Sequence, residues 1–250
     1  MDLLPVEIKV NIEGDVAGAL SALGSGQGAM MTRRIWFAED QDGVAQGKLL
    51  LLEGGVIVRF RIGGGPDDLV VKLRPCTHEQ LVGRFQDPFE VAPITYKIEQ
   101  DLSRNGRVLA ASLAHTHPSG TLAPAVEPGA DSSVPLDAVQ DQFLHACARD
   151  VEFDRLVALG PIFSTKVDDV PLDDLEVDLE AWSAAGLHFL EASIRVKPKD
   201  GDDAEEFEER AERKLRKLEE AVLARGVTLS EVADSKTQRV LTALAAAAQG

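Results

Sequence analysis

The chain reads as an α+β protein, an antiparallel β-barrel with helices packed outside it. Three observations predict this. Apolar and charged residues alternate with a period of two in stretch after stretch. The polar side of these stretches carries acids and bases, where an ordinary surface strand scatters Thr, Ser, Gln and Lys. One long segment towards the C-terminus is amphipathic at helical spacing. A sheet that closes on itself turns alternate residues of every strand into one lumen and leaves the outward apolar residues to pack under helices.

The elements follow in order. In "VEIKVNI", Val6, Ile8, Val10 and Ile12 oppose Glu7, Lys9 and Asn11. "GDVAGALSALG" is a helix with Asp15 as N-cap and Gly24 as its stop. "RRIWFAED" reads as a second, aromatic-rich strand. "VIVRFRI" sets Val58, Phe60 and Ile62 against Arg59 and Arg61, and "DLVVKLR" sets Leu69, Val71 and Leu73 against Lys72 and Arg74. The "GGGPDD" between them is a tight reversal, so the pair is a hairpin. "ITYKIEQD" sets Ile94, Tyr96 and Ile98 against Lys97, Glu99 and Asp101, and "RNG" reverses the chain into "RVLAASL". Residues 115–135, rich in Pro, Gly and Ser, read as a surface loop that opens an insertion over about 115–150, with a helix around 136–148. "LEVDLEAW" sets Leu175, Val177 and Leu179 against Glu176, Asp178 and Glu180, and "FLEASIRVK" sets Leu190, Ala192, Ile194 and Val196 against Glu191, Ser193, Arg195 and Lys197. C-terminal helices occupy about 202–248, the first with Phe207, Ala211, Leu215, Leu218 and Val222 as its apolar stripe and a solvated charged face.

With 250 residues, 44% of them hydrophobic, the chain can bury the core of one large domain over 1–250. A formal net charge of -16 disfavours nonspecific binding to nucleic acid or anionic lipid, so a polyanionic ligand needs a local positive pocket. Cys76 and Cys147 make neither a metal-ligand spacing nor a disulfide framework and read as structural thiols in a reducing cytosol. "MDLLPVEIKV" has no basic region followed by an apolar core, and no run of about 18 apolar residues occurs, which predicts a soluble cytoplasmic protein.

Arg59, Arg61, Lys72, Arg74 and Lys97 gather in the first half of the chain, and Glu176, Asp178 and Glu191 in the second. Cations turned into a lumen must be balanced by carboxylates, a metal ion or a polyanion. A phosphate chain with a divalent ion satisfies both halves.

These residues resemble the CYTH, or triphosphate tunnel metalloenzyme, superfamily, which includes thiamine triphosphatases, inorganic triphosphatases and class IV adenylyl cyclases. Pro5-Val6-Glu7-Ile8-Lys9 is similar to the family's opening Glu-x-Glu-x-Lys, with Pro5 in place of the first acid. "RRIWFAED", "GGVIVRFRI" and "LVVKLRP" resemble its aromatic strand, its Arg-x-Arg strand and its lysine strand, in the right order. "VDLEAWSAAGLHFLEASIRV" resembles the late Leu-Asp strand, glycine and Phe-x-Glu-x-Glu, with Asp178, Gly186, Phe189 and Glu191 matching and Ser193 where the last acid belongs. "ADSKTQRVL" is similar to the Ser-Lys segment that closes many members. The resemblance spans most of the chain outside the 115–150 insertion.

It implies a tunnel in which bases grip a small-molecule triphosphate and acids hold Mg²⁺ or Mn²⁺. Lys9, Arg59, Arg61 and Lys72 map onto phosphate ligands, and Arg74 and Lys97 extend the basic set. Glu7, Asp178 and Glu191 map onto metal-side acids, joined by Glu99. The planar guanidinium fork suits phosphate, and hard carboxylate oxygens suit a hard divalent cation. The implied reaction is in-line attack by a metal-positioned water. Both departures, Pro5 and Ser193, fall among the acids, so a tunnel that binds phosphorylated ligands or a partner without turnover is a second reading.

A third reading starts from "HTHPSG". His115 and His117 resemble the His-x-His-Pro core of JAMM zinc metallopeptidases. Those enzymes carry Ser and Asp about ten and thirteen residues after the first histidine; Ala125 and Pro128 stand there, and Asp131 is the nearest substitute. His78, His145 and His188 are isolated and read as structural.

Overall fold

A computed structural model describes residues 3–151, 155–232 and 234–248. The described elements are β1 (Val6–Glu13), α1 (Val16–Ala22), β2 (Met30–Asp40), α2 (Gln41–Ala45), α3 (Leu50–Glu53), β3 (Val56–Ile62), β4 (Asp67–Cys76), β5 (Phe89–Val91), β6 (Ile94–Ser103) and β7 (Gly106–His117). They continue with α4 (Ala138–Cys147), β8 (Leu156–Leu172), β9 (Leu175–Ala184), β10 (Leu187–Val196), α5 (Ala204–Ala224), β11 (Thr228–Leu229) and α6 (Lys236–Ala247).

The strands pair in the order β11-β1-β10-β9-β8-β2-β3-β4-β7-β6-β5, and β1 also pairs with β6. That last pairing closes nine strands into a ring, the expected β-barrel. At this seam the expected antiparallel barrel is mixed. β1 and β6 run parallel, with Val6, Glu7 and Ile8 opposite Gln100, Asp101 and Leu102. The expected loop at "HTHPSG" is also corrected: β7 runs through His117, so both histidines lie on a strand paired to β4. The long strand β8, whose charges Lys166, Asp168 and Asp169 fall in one short run, is not among the strands the sequence predicts.

The chain divides into two compact units, one of 1–32, 99–108 and 164–236, the other of 33–98, 109–163 and 237–250. In the first, Val6, Ile8, Val10 and Ile12 of β1 join Val177, Leu179, Ala192 and Ile194 in one apolar core. Onto it α5 lays Phe207, Ala211, Leu218 and Val222, with Leu215 partly buried, as its spacing predicts. Phe207, Leu218 and Val222 each contribute about 1.5–3 kcal/mol by leaving water. Asp203 caps α5 by accepting from the Glu206 amide, and Glu205 and Glu206 fill the first turn, where the helix dipole favours acids. The β9–β10 turn passes through Gly186 at φ +75°, a conformation that suits glycine.

In the second unit β3 and β4 form the expected hairpin, with Val58, Phe60, Leu69 and Val71 fully buried. Asp137 caps α4 through the amides of Val139 and Gln140, and the buried Gln140 amide donates to the carbonyl of Leu69 in β4. Phe85, Tyr96 and Phe143 make an aromatic cluster in which the Tyr96 hydroxyl donates to the Phe85 carbonyl. Gly160 of β8 lies so close to Trp36 that a Cβ would sit 2.6 Å from the indole ring. Cys76 and Cys147 are free and buried, and burial pushes both thiols up, Cys76 to about 11, as structural thiols require. Among the described residues no helix is long and apolar enough to cross a membrane.

Candidate functional site

In β1 the apolar residues face the core, so Glu7, Lys9 and Asn11 occupy the opposite face. The register then decides their neighbours: Glu7 lies opposite Arg195 of β10 and Asp101 of β6, Lys9 opposite Ser193, and Asn11 opposite Glu191. Directly paired residues share a face, and a charged cluster results. Carboxylate oxygens of Glu7, Glu99 and Asp101 lie within 4.8 Å of one another. Among the described residues they are the one trio of His, Cys, Asp or Glu so arranged. Lys9 Nζ stands 2.8 Å from Glu7 and 3.1 Å from Asp101, whose side chain is only 2% exposed. Arg195 reaches Glu99 at 3.1 Å. Burial pulls the Lys9 ammonium down, but the acids Glu7, Asp101 and Glu191 outweigh it and hold its pKa above the ordinary lysine value.

Three hard oxygen donors suit a hard divalent cation such as Mg²⁺ or Mn²⁺. Of the four acids expected to hold metal, Glu7 and Glu99 meet here. Asp178 and Glu191 do not belong to the trio. Asp178 accepts from Lys166 Nζ at 3.0 Å and from the Asp169 amide at 3.2 Å. Burial pulls the Lys166 ammonium down, but its bonds to Asp168 and Asp178 outweigh it and raise its pKa. Glu191 lies beside Glu180, its register partner, and Lys236 Nζ reaches both, at 3.4 and 2.9 Å.

The second unit carries the basic candidates. Arg59 and Arg61 alternate with Val58, Phe60 and Ile62 on β3 and are half-buried on the face turned from the core. Arg61 pairs across to Asp68, and Lys72 to Ser112. Arg33 reaches Asp68 at 3.0 Å. Arg74 is half-buried, whereas Lys97 is exposed.

His115 and His117 stack with ring centroids 4.0 Å apart. Nδ1 of His115 lies 2.6 Å from Asp137 Oδ2, an ion-pair distance whose angle falls outside hydrogen-bond geometry. Asp131 does not reach them as a third ligand; it accepts from Ser133 and from the Leu156 amide, and the Ser133 bonds keep its carboxyl low despite burial.

Sequence reasoning leaves several members of the charged clusters unassigned, among them Asp101, Lys166, Glu180, Arg195 and Lys236. Asp101 was signalled by its place two residues after Glu99 on the same strand face. Lys236 was signalled by the Ser-Lys segment "ADSKTQRVL".

No protein-family model matches the chain, and no curated protein matches it in sequence. Solved structures do. A candidate adenylyl cyclase of Hippeastrum, HpAC1, described as having a dominant triphosphatase activity, superposes with a TM-score of 0.59 at 12% identity over 96% of each chain. A candidate adenylate cyclase of Bacillus halodurans superposes with a TM-score of 0.54 at 13% identity, covering 95% of this chain and 98% of the other. The chain therefore has the fold of the CYTH, or triphosphate tunnel, class.

Proposed function

We propose that this chain binds a triphosphate-containing small molecule and hydrolyses its phosphoanhydride with a divalent cation, Mg²⁺ or Mn²⁺. Inorganic triphosphate, thiamine triphosphate and nucleoside triphosphates are the candidate substrates. The observation that carries this reading is the Glu7–Glu99–Asp101 trio beside the half-buried Lys9, on a strand face that a barrel of this class turns away from its apolar core. Glu7, Glu99 and Asp101 would hold the cation. Arg59, Arg61 and Lys72 would donate charge-assisted hydrogen bonds to phosphate oxygens, with Lys9 as a fixed positive charge and Arg74 and Lys97 as outer members of the set. Held there, a cation would supply charge neutralisation and activation of water. The triphosphatase described for the Hippeastrum protein agrees with this reading, as a property of that protein.

A second reading has its own observation. Asp178 and Glu191 each hold a cation of this chain, Lys166 and Lys236, and Pro5 and Ser193 remove two further acids, an arrangement that favours binding without turnover. A phosphate-release screen with tripolyphosphate, thiamine triphosphate and ATP, run with Mg²⁺, with Mn²⁺ and with EDTA, decides between them. Metal-dependent release from any of these supports hydrolysis. Tripolyphosphate binding by calorimetry with no release under any condition supports the second reading, and neither binding nor release refutes both.

A further inference from the structure

Glu180 and Glu191 face each other across β9 and β10 as directly paired residues. Such a pair costs several kcal/mol to bury without a counter-charge. The counter-charge is supplied from forty-five residues further along the chain: Lys236, at the first position of α6, has a side chain only 6% exposed. Its Nζ stands 2.9 Å from Glu180 Oε2, 3.4 Å from Glu191 Oε1 and 4.0 Å from the centroid of the Trp182 ring. Ser164 Oγ donates to the other Glu180 oxygen at 3.0 Å. The ammonium is held by two carboxylates, one aromatic face and burial together, which is more than a surface ion pair offers.

We propose that Lys236 is a tethered cation that occupies the charge-balancing place of a divalent ion at the Glu180–Glu191 pair. Wild-type chain then takes divalent metal at Glu7–Glu99–Asp101 alone, and loss of the ammonium opens a second position at Glu180 and Glu191. This deepens the proposed function, because it assigns Glu191 to Lys236 and not to the metal. The physical reason is effective concentration. A covalently attached ammonium competes with a free ion as an intramolecular ligand, at an effective concentration of order millimolar or above. One positive charge against two carboxylates leaves a residual negative charge, so the pair remains attractive to a divalent ion once the lysine is gone.

The test uses full-length chain and Mn²⁺ alone, with bound ion counted by electron paramagnetic resonance and site occupancy read from Trp182 fluorescence in a Trp36→Phe background. Lys236→Gln should gain one Mn²⁺ per chain over the parent, with Mn²⁺ quenching of Trp182 that the parent lacks. Lys236→Arg, which keeps the charge, should behave as the parent, and Glu180→Gln combined with Lys236→Gln should lose the added ion. Thermal unfolding under the same conditions guards against misfolding, because the added Mn²⁺ should raise the melting temperature of Lys236→Gln more than that of the parent. Equal Mn²⁺ counts in parent and Lys236→Gln, or Mn²⁺ quenching of Trp182 in the parent, overturn the proposal. If the parent binds no Mn²⁺ and Lys236→Gln binds one, the tethered cation stands while the metal assignment to Glu7–Glu99–Asp101 falls.

Discussion

Replacing Lys9 with Met tests the charged cluster of β1 directly, because the substitution keeps the length of the side chain and removes only its charge. In the native chain Lys9 lies between Glu7 and Asp101, with Glu99 in the same group. Its loss leaves three carboxylates within 4.8 Å and no central cation. Removing one partner of a buried pair costs about 3–5 kcal/mol. Lys9 retains 20% exposure of its side chain, so the lower end applies, about 3 kcal/mol. For a chain of this size that corresponds to a fall in melting temperature of about 6 to 12 °C. The Lys9 pKa lies above the ordinary lysine value, so its contribution is fully present below that value and the deficit of Lys9→Met should be the same from pH 5 to 8. Lys97→Met, at an exposed position, should stay within about 0.5 kcal/mol of wild type. Calorimetric melts of the three proteins from pH 5 to 8 provide the measurement. A deficit that is absent, or no larger than that of Lys97→Met, would mean that Lys9 is not the counter-charge of the acid trio.

Other perturbations have equally definite outcomes. Arg59→Ala or Arg61→Ala should weaken tripolyphosphate binding by about 1.5 to 3 kcal/mol in titration calorimetry, with or without Mn²⁺. The buried Glu39 accepts from the Leu51 and Leu52 amides at the start of α3, and burial raises its carboxyl to about 7. Its contribution is present at low pH and lost as pH rises through that value, so Glu39→Gln should gain on wild type by roughly 2 to 3 kcal/mol between pH 5 and 8 in denaturant titrations. Burial, then the neighbouring His115, hold His117 below the usual histidine pKa against the opposing pull of Asp137 and Asp67. Its contribution is present above about pH 6.5 and lost as pH falls, so the melting temperature of His117→Gln should depend less on pH between 5 and 7 than that of wild type.

Strands whose two faces differ sharply were legible in the sequence. Val6, Ile8 and Val10 against Glu7 and Lys9, or Val58 and Phe60 against Arg59 and Arg61, fix both the strand and the face that is buried. The stripe Phe207, Ala211, Leu218 and Val222 was legible for the same reason at a different period. β8 was not, because "LVALGPIFSTKVDDVPL" confines its charges to Lys166, Asp168 and Asp169 and holds two prolines, a composition that reads as a break. The histidine strand was misread because the Pro and Gly of "HTHPSG" follow the element they were taken to interrupt. For the site, composition and spacing nominate charges but do not pair them. Whether Glu191 meets a metal or a lysine depends on a residue forty-five positions away, and whether Asp101 joins Glu7 depends on a parallel pairing that no local pattern announces.

The parallel seam also orders events during synthesis. Residues of β1 are made first, yet their strand partners lie near residues 100, 190 and 228. At roughly 5–20 residues per second, β1 waits on the order of ten seconds or more after emerging from the ribosome before β10 exists to pair with it. Until then only β6 is available to pair with it, and the other backbone edge stays open beside the apolar face of Val6, Ile8, Val10 and Ile12, the condition under which nascent strands associate with other chains. Glu7 and Lys9 place charges beside that apolar run, the arrangement that discourages association between nascent strands.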